Sequence, residues 1–531
     1  MKTHLNQCGV LLLLLAGALP AAESVIRFED VTDAAGLRAP LAGLMGHGGA
    51  WGDVDGDGFI DLYAGGFADR PLAEYAPAKG PIKNQLLRNL GNGKFALVKD
   101  SPASHFARTS GAVFADLDND GDLELFVGNN ARPGGAGKAV GPMREARAAF
   151  NKLYRNDGGR LVDISEASGA CPPTLESGRN IGVLDFDLDG RLDLLVIEDR
   201  FTRGPSSRLF RNLGALRFED VTVKAGLPED LFGLGCAIAD VNGDGRPDIF
   251  VGHSNRFFIS QKDGTYSEPA ALRQTFAWTP LHGEDWPCGA AFGDLNQDGR
   301  LDLVLAIHCT TARNRIYLND GVQDGVPRFR DVTRESGMPA QLPVKSPHVE
   351  IQDFDNDGRP DIYFSSAFTS KDGVCTPMIF RNTGAVGGIP RFAPNLQPDS
   401  LNSYFAAGPS GDFDNDGRVD IFLINWFADN HSRLLRNQSP PAHWLQVTAK
   451  GRRTNRMGIG AKVSVHASEG GVLLGFQEIG VGYGYASGQP AMAHFGLGTN
   501  AKVTVTVEFP GGKKEVRRDV PANKRIVMEE P

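Results

Sequence analysis

Seven acidic nonapeptides supply most of the chemistry in this 531-residue sequence, and we number them loop 1 to loop 7 in chain order. Each carries oxygen-bearing side chains at positions 1, 3, 5 and 9 and a glycine at position 6. Such oxygens, brought together by a tight turn, suit a hard cation such as Ca²⁺. We therefore expect up to seven calcium sites. The predicted metal ligands are Asp53, Asp55, Asp57 and Asp61; Asp116, Asp118, Asp120 and Glu124; Asp185, Asp187, Asp189 and Asp193; Asp240, Asn242, Asp244 and Asp248; Asp294, Asn296, Asp298 and Asp302; Asp353, Asp355, Asp357 and Asp361; and Asp412, Asp414, Asp416 and Asp420.

The residue at position 12 separates these loops from EF-hands. An EF-hand places a bidentate Glu there, whereas this position is apolar here, as in Val127, Val196 and Leu305. Those residues belong to short apolar runs, such as residues 192–197, which are typical of buried strands. Simple Asp- and Gly-rich turns are the alternative, but such turns would not repeat four spaced oxygens seven times.

The charge distribution agrees with bound cations. The chain carries 55 Lys and Arg against 64 Asp and Glu, a formal net charge of −9. From Ala442 onward, 12 basic residues outnumber 7 acidic ones, so the negative charge is concentrated in the region of the loops. Seven divalent ions would bring that region close to neutral, and without them the clustered carboxylates would repel one another. The acidic balance also argues against a nucleic-acid partner.

The loops recur at a long and regular interval. Their first aspartates lie 54 to 69 residues apart, which indicates a repeat architecture. After each loop and its apolar run, a short third strand usually ends in Asn, and a fourth strand begins at an aromatic or apolar residue. Four short strands in each of seven units predict an all-β fold, a seven-bladed β-propeller. The strand-ending asparagines are Asn89, Asn156, Asn212, Asn319, Asn382 and Asn437.

The two ends of the repeat region complement each other. The unit that ends at Asn437 lacks a fourth strand, while residues 28–32 stand alone before loop 1. Residues 28–32 read Phe-Glu-Asp-Val-Thr, the same as the fourth strand at residues 218–222. We therefore expect the N-terminal strand to complete the last blade and close the ring, which removes open sheet edges.

Three segments divide the chain. Residues 1–22 contain an apolar run, at positions 10–19, that is too short to span a membrane and is typical of a cleaved export signal. Residues 23–441 contain the propeller. After Pro441 the acidic loops stop, and alternating strands between Gly-rich turns predict a small β domain over residues 442–531. The mature protein is expected to be secreted or periplasmic.

Both parts resemble known families. The loops and the Phe-Glu-Asp-Val-Thr strands over residues 24–437 resemble the FG-GAP/VCBS repeats of integrin α-chain propellers and of many exported bacterial proteins. The resemblance implies Ca²⁺ in the hairpin loops, with a main-chain carbonyl at position 7 as a further ligand. Residues 455–461, 480–483 and 494–498 resemble the ASPIC/UnbV domain, which follows such repeats in bacterial proteins and in the cartilage acidic protein-like family. Phe509 stands where that family usually has Trp.

The face opposite the loops is the second candidate site. If each loop joins the first and second strands of a blade, the segments before the first strand and after the second emerge on the other face. Histidines and charged residues gather in those segments, and binding residues favour loops held by a rigid scaffold. Their simple preference for loops is the alternative explanation. The residues concerned are His47, Arg179, Glu198, His253, His282, Glu284, His308 and His348.

Three functional interpretations follow. The leading one is a secreted, calcium-stabilised binding or adhesion module that engages an extracellular protein or glycan. The second is an enzyme or a transition-metal-binding protein that uses the His-rich face. The third makes the propeller a scaffold that presents the basic C-terminal domain to an acidic partner. Known catalytic motifs, including GxSxG and HExxH, do not occur in the sequence, and no later apolar stretch is long enough for a membrane helix.

Overall fold

A computed structural model describes residues 26–132, 139–199, 206–279, 286–309, 313–339, 345–366, 374–399, 403–427 and 429–531. Blade 1 shows the plan of the repeat. Its four strands are β2 (Gly46–Gly52), β3 (Asp61–Gly66), β4 (Gln85–Asn89) and β5 (Phe95–Leu97), and each pairs antiparallel with the next. Loop 1 joins the first strand to the second, as expected. The first strand is buried along its whole length.

Five further blades repeat this order from the first strand to the fourth. First strands of successive blades contact one another around a central axis. Blade 2 contains β6 (Thr109–Ala115), β7 (Glu124–Asn129), β8 (Lys152–Asn156) and β9 (Leu161–Asp163); blade 3 contains β10 (Gly178–Leu184), β11 (Asp193–Glu198), β12 (Arg208–Asn212) and β13 (Phe218–Asp220); blade 4 contains β14 (Cys236–Ala239), β15 (Asp248–Val251), β16 (Arg256–Ser260) and β17 (Tyr266–Ser267); blade 5 contains β18 (Pro287–Gly293), β19 (Asp302–Ile307), β20 (Arg315–Gln323) and β21 (Val326–Asp331); and blade 6 contains β22 (Val349–Gln352), β23 (Asp361–Phe364), β24 (Val374–Val386) and β25 (Ile389–Asp399).

The seventh blade closes the ring with both ends of the repeat region. The C-terminal strands are β26 (Phe405–Ala407), β27 (Ser410–Gly411), β28 (Asp420–Asn425) and β29 (Arg433–Asn437). Strand β1 (Phe28–Asp30) pairs antiparallel with β29, with Phe28 opposite Asn437 and Asp30 opposite Leu435. The predicted closure by the N-terminal strand is confirmed.

Helices contribute little to the described part of the chain. A 3₁₀ turn spans Leu72–Tyr75, and the α-helices are α1 (Pro142–Ala148), α2 (Ser165–Ser168) and α3 (Ala270–Thr275). None of the helices in the described ranges has the length and apolar character needed to cross a membrane. The core lies between neighbouring sheets, where aromatic side chains such as Phe257 of blade 4 and Phe329 of blade 5 pack together. Burial of these apolar faces holds adjacent blades in contact.

The C-terminal domain consists of two small sheets. The first contains β30 (His443–Lys450), β34 (Ala493–Gly498) and β37 (Lys524–Glu529), and the second contains β31 (Lys462–His466), β32 (Leu473–Glu478), β35 (Lys502–Glu508) and β36 (Lys514–Pro521). Its apolar residues and those of blades 2 and 3 belong to one continuous hydrophobic cluster, which includes Val183 and Val463. The domain therefore packs tightly on the propeller.

A segment of the C-terminal domain enters the axis of the ring, which the sequence did not reveal. We call residues 480–490 the plug. Within it, β33 (Ser487–Gly488) pairs parallel with β2, and the N–H of Gly484 donates to Ala290 O at 2.8 Å. Only glycine fits at Gly484, because φ is +77° and a Cβ atom would lie 2.5 Å from the His348 ring. The plug thus fills a space too narrow for side chains at that point.

Candidate metal sites and ligand-binding surface

The position-1 carboxylate organises each loop from within. In loop 1, Asp53 Oδ1 accepts the N–H of Asp57 at 3.1 Å, and Oδ2 accepts the N–H of Gly58 at 2.9 Å. The same pair of hydrogen bonds recurs in loops 3, 4, 5, 6 and 7. The backbone of the loop is therefore curled around its first aspartate.

The position-9 carboxylate ties the loop to its own blade. Asp61 Oδ2 accepts the N–H of Val54 at 3.0 Å, and Oδ1 accepts the N–H of Asn89 at 2.7 Å. Equivalent bonds occur in all seven blades, where Glu124, Asp193, Asp248, Asp302, Asp361 and Asp420 take the same role. All seven carboxylates are buried.

These loops fit a divalent cation on geometric grounds. In five of them, three carboxylate oxygens lie within 4.8 Å of one another. At position 3, Asp55, Asp187, Asn296 and Asp414 each keep a buried Oδ1 atom without a hydrogen-bond partner. A buried oxygen without a partner costs about 1–3 kcal/mol, and a cation at the centre of the loop would satisfy it. The five groups are Asp53, Asp55 and Asp57; Asp116, Asp118 and Glu124; Asp185, Asp187 and Asp193; Asp353, Asp355 and Asp357; and Asp412, Asp414 and Asp420.

Burial makes these carboxylates hard to ionise without a partner cation. Desolvation raises the pKa of Asp61 to about 7 and that of Glu124 to about 8, although backbone hydrogen bonds oppose the shift. Desolvation also raises the pKa of Asp185 and Asp294 to about 7, and neighbouring carboxylates add to the shift. A bound cation favours the ionised form, so metal and protons would compete for the same oxygens.

The residue type at position 3 of each loop correlates with the residue type at one position of the third strand. Where position 3 is Asp, the residue before the strand-ending Asn is Arg, as in Arg88, whose Nε lies 3.1 Å from Asp55 Oδ2. Arg211 with Asp187 and Arg436 with Asp414 form the same ion pair at 2.7 Å. In loops 4 and 5, position 3 is the neutral Asn242 or Asn296, and the third strand carries Ile259 or Leu318 instead of Arg. An Asp at position 3 thus comes with an Arg, and an Asn comes with an uncharged residue, so the summed charge of these two positions is the same in every loop.

The strand-ending asparagines join each blade to the loop of the preceding blade. Asn156 Nδ2 donates to Val54 O in loop 1 at 2.8 Å, and Asn89 Nδ2 donates to Phe413 O in loop 7 at 2.8 Å. The other acceptors are also position-2 carbonyls: Leu117 for Asn212, Val241 for Asn319, Leu295 for Asn382 and Phe354 for Asn437. Blade 4 has Ser260 instead, and its buried hydroxyl has no hydrogen-bond partner. We call these contacts the asparagine bridges.

The C-terminal domain covers part of the loop face through position-1 carboxylates. Gln446 Nε2 donates to Asp412 Oδ2 at 2.9 Å, and Lys462 forms an ion pair with Asp240. Both acceptors are the oxygens that also receive the N–H of the position-6 glycine. The domain therefore contacts Oδ2 of each carboxylate, while Oδ1 accepts the N–H of the residue at position 5.

Position 4 of the loops supplies further contacts with the same domain. His494 Nε2 donates to Asn356 Oδ1 at 2.8 Å, and the N–H of Arg456 donates to Asn119 Oδ1 at 2.8 Å. Gln297 Nε2 donates to Leu474 O at 2.6 Å. We call the C-terminal residues of these contacts the latch: Gln446, Arg456, Lys462, Leu474 and His494.

Inside the axis, His348, which was predicted for the opposite face, anchors the plug together with Glu350. His348 is fully buried; its Nε2 lies 3.0 Å from Glu350 Oε1, and its Nδ1 accepts the N–H of Tyr485 at 2.9 Å. Glu350 Oε1 also accepts Gln489 Nε2 at 2.7 Å. Since β22 lines the axis, His348 does not reach the ligand face expected from the sequence. Its two ring nitrogens are both used by these contacts.

On the face opposite the loops, Tyr485 of the plug contacts a cluster of polar side chains. Arg179 NH1 donates to His47 Nε2 at 3.1 Å and to the Tyr485 hydroxyl at 3.2 Å, while Arg179 Nε donates to Asp199 Oδ2 at 2.7 Å. Burial and the Arg179 charge hold the pKa of His47 well below its usual range. His47 is therefore neutral, and its Nε2 is an acceptor.

Aromatic rings surround this polar group. The His47 ring stacks on Phe67 with centroids 5.1 Å apart, and Trp426 lies edge-on to Phe67, also at 5.1 Å. On the other side, Trp286 stacks on His308 at 5.4 Å, and Tyr404 lies 6.1 Å from His308. Four of these side chains remain partly exposed: Trp286, His308, Tyr404 and Trp426. We call the whole set the mouth: His47, Phe67, Arg179, Asp199, Trp286, His308, Tyr404, Trp426 and Tyr485.

Comparison with known proteins assigns both parts of the chain. The FG-GAP-like repeat matches residues 53–127, 185–251 and 294–364, and the ASPIC and UnbV family matches residues 451–531. Human cartilage acidic protein 1 is 27% identical over 512 residues, which cover 91% of this chain and 72% of that protein, and the mouse protein is similar at 27% over 511 residues. The chain is an FG-GAP-repeat and ASPIC/UnbV protein homologous to cartilage acidic protein 1.

Solved structures similar to this FG-GAP and ASPIC/UnbV protein include a lectin and a propeller. The Agrocybe aegerita lectin that recognises non-reducing terminal N-acetylglucosamine is 17% identical with a TM-score of 0.38, over 66% of this chain and 80% of the lectin. The Dos1 propeller is 10% identical with a TM-score of 0.37, over 71% of this chain and 75% of the other.

Two of the remaining predicted residues of the opposite face, Glu198 and His253, are not part of the mouth of the FG-GAP propeller. Glu198 is fully buried, because it ends a second strand; its Oε2 accepts the N–H of Ser177 at 2.9 Å, and burial raises its pKa to about 8. His253 follows β15 in a turn with a φ of +78°. His282 and Glu284 lie outside the described residues.

Sequence reasoning found three mouth residues and missed most of the others. His47, Arg179 and His308 were predicted and are brought together. Phe67 and Trp426 directly follow second strands, so the rule that placed the histidines applies to them as well, but the prediction considered only histidines and charged residues. Tyr485 carried no signal, because its Gly-rich segment is typical of a turn.

Proposed function

We propose that this protein is an exported, calcium-binding β-propeller whose mouth binds a glycan. The observation that carries the proposal is a polar floor surrounded by partly exposed aromatic rings at the axis of a rigid ring. Trp and Tyr faces pack on the apolar C–H faces of sugar rings, and Arg179, His47 and Tyr485 offer donors and acceptors for hydroxyls. The guanidinium is paired with Asp199, which favours a neutral ligand over an anion.

Calcium in the loops is the second part of the proposal. The clustered carboxylates, the position-3 oxygens without partners and the raised pKa values all support a hard divalent cation. The residues at positions 1, 3, 5 and 9 would hold it. The ion neutralises the carboxylates and cross-links each loop, and the propeller is thereby fixed in the shape that the mouth requires.

Export is the third part. Residues 1–22 have the charge and apolar pattern of a cleaved signal, and calcium at extracellular concentration would saturate even weak loops. N-terminal sequencing of protein recovered from the periplasm or medium would test this. A start near residue 23 is the expected result, whereas protein found only in the cytoplasm with residues 1–22 attached contradicts it.

A glycan array with the full-length, calcium-loaded protein tests the mouth. Trp286→Ala and Trp426→Ala are each expected to weaken the best array hit by at least about tenfold, since Trp residues dominate binding energies. Trp278→Ala is the matched control, because Trp278 is also partly buried but packs against Arg315, which is not a mouth residue. Binding that survives both mouth substitutions, or a protein ligand without any glycan, would overturn the proposal.

Elemental analysis of the purified protein separates this proposal from the transition-metal interpretation. Groups of three or more potential ligand residues in the described part of the chain contain carboxylates and no histidine. We therefore expect calcium in the native protein. Stoichiometric zinc, copper or iron that persists after dialysis against calcium would instead favour the second interpretation.

A further inference from the structure

The loop face and the mouth are joined by one continuous segment. The latch residues His494 and Leu474 belong to β34 and β32, the strands that flank the plug on either side in the chain. Between them, the plug runs from the loop face through the axis to Tyr485, which touches His47 and Arg179. A displacement of the C-terminal domain on the loop face would therefore move a residue of the mouth.

The latch contacts depend on the shape of the loops. Asp412 Oδ2 accepts Gln446 Nε2 at 2.9 Å and the N–H of Gly417 at 2.9 Å, while Oδ1 accepts the N–H of Asp416 at 3.0 Å, so the orientation of this carboxylate ties the latch to the shape of loop 7. Calcium at the centre of loop 7 would fix this orientation. Without the ion, repulsion among the clustered carboxylates of Asp412, Asp414 and Asp416 would favour rotation of the Asp412 carboxylate away from Gln446.

The plug contacts several blades at once. Asn180 Nδ2 donates to Gly482 O at 2.7 Å, and its Oδ1 accepts the N–H of Ala486 at 2.9 Å. The N–H of Gly49 donates to Ala486 O at 3.1 Å. These partners lie on the first strands of blades 3 and 1, so the plug fits only when the blades keep their spacing. Loop calcium would set that spacing as well.

We infer that the C-terminal domain is a calcium-dependent plug: ions in the loops hold the latch, the latch holds residues 480–490 in the axis, and the plug holds Tyr485 in the mouth. Calcium bound on one face therefore strengthens ligand binding on the other. The inference rests on the proposed calcium sites throughout, and on the proposed function of the mouth only for its last step. By linkage, ligand in the mouth raises the calcium affinity of the loops by the same factor.

Hydrogen exchange of the full chain, with calcium alone as the probe, tests the first steps. Backbone amides of residues 480–490 are expected to exchange at least about tenfold faster in EDTA than in calcium, because their hydrogen bonds open when the latch weakens. The C-terminal sheet strand β35 serves as the internal control, since its amides pair with β31 and β36. Equal exchange of the plug in both conditions would overturn the inference.

A thiol next to the plug gives an independent readout. Cys236 is fully buried, and its backbone forms an isolated antiparallel β-bridge with Gly484 of the plug. Its Sγ atom accepts Asn180 Nδ2 at 3.1 Å. Removal of calcium is expected to make Cys236 react with a maleimide, while Cys171, which is partly exposed and has no hydrogen bond to the plug among the contacts described above, should react at an unchanged rate. A Cys236 that stays protected in EDTA contradicts a mobile plug.

Latch variants test whether the signal passes through the C-terminal domain. Gln446→Leu with Lys462→Met removes two contacts without altering a predicted calcium ligand. In calcium, the plug of this double variant is expected to exchange at the rate that the natural protein shows in EDTA, with unchanged calcium stoichiometry. Lys514→Met, at an exposed strand edge, is the control. Protected plug amides in the double variant would show that the latch is not the route.

Tyr485→Phe tests the last step and keeps the fold. The variant loses only the hydroxyl that meets Arg179 and His47, so its plug should stay protected in calcium while the best glycan from the array binds about tenfold more weakly. If no glycan binds the natural protein but the plug still responds to calcium, the proposed function fails and the calcium-dependent plug stands. Unchanged glycan affinity in Tyr485→Phe overturns the role of Tyr485 in the mouth.

Discussion

The two faces of this propeller are built by different rules. On the loop face, each site is made from nine consecutive residues and is repeated seven times, so its function is visible in a short window of sequence. The mouth is made once, from segments as far apart as His47 and Tyr485, and each residue has a different neighbour. A repeated local site can be read from spacing, whereas a site assembled across blades requires the fold.

The largest expected difference between the two faces is their response to metal removal. EDTA should lower the melting temperature by more than about 10 °C, since each loop loses ligand stabilisation of about 2.7 kcal/mol at a hundredfold excess of calcium over Kd. Calorimetry in EDTA, calcium and magnesium measures the effect. Magnesium is expected to restore little, because it requires a smaller and more rigid site. An unchanged melting temperature in EDTA would contradict calcium-dependent stability.

The pH dependence of the metal-free protein should be opposite to that of the calcium form. Burial raises the pKa of Asp61 to about 7 and that of Glu124 to about 8, so the folded protein holds these protons more tightly than the unfolded chain. Their favourable contribution is complete below the unfolded pKa near 4 and is lost as the pH rises through 7 to 8, at about 1.4 kcal/mol for each pKa unit and group.

Melting temperatures in EDTA at pH 5, 6.5 and 8 measure this trend. We expect the metal-free protein to melt lowest at pH 8, while the calcium-loaded protein melts lowest at pH 5, where protons compete with the ion. The same trend in both conditions would show that the loop carboxylates do not control stability.

How much of the structure could be predicted from the sequence also differs between the repeated loops and the contacts that join distant segments. The spacing of Asp53 to Asp61 predicted the loop, the recurring strand pattern predicted the strand order, and the match of residues 28–32 to residues 218–222 predicted the closure by β1, because all of these depend on local pattern and on repetition. The asparagine bridges were seen only as strand ends, because the acceptor of Asn89 lies more than 300 residues away. Tyr485 could not be placed, since parallel pairing of β33 with β2 leaves no trace in alternating hydrophobicity.

A single methyl group added at Gly484 tests how tightly the plug fills the axis between the two faces. Gly484→Ala should destabilise the protein by about 1–3 kcal/mol, because its φ is +77° and the new Cβ atom would lie 2.5 Å from the His348 ring. Gly512→Ala is the matched control, with a φ of +85° and no atom within 4 Å of the added carbon. Denaturant unfolding of both variants isolates the steric part. Equal losses would mean that the plug does not fill the axis tightly.

The smallest expected effect concerns the one blade without an asparagine bridge. Ser260→Asn should stabilise the protein by about 1 kcal/mol, because the amide can reach Phe186 O, the position-2 carbonyl of loop 3, as Asn212 reaches Leu117 O. Asn212→Ser is the reverse control and should cost a similar amount. The plug and the latch residue Lys462 lie at this junction between blades 3 and 4, where they contact Asn180 and Asp240. If the C-terminal domain replaces the missing bridge, Ser260→Asn will stabilise the Lys462→Met variant more than the natural protein, whereas equal gains in both backgrounds would show that the two contacts act independently.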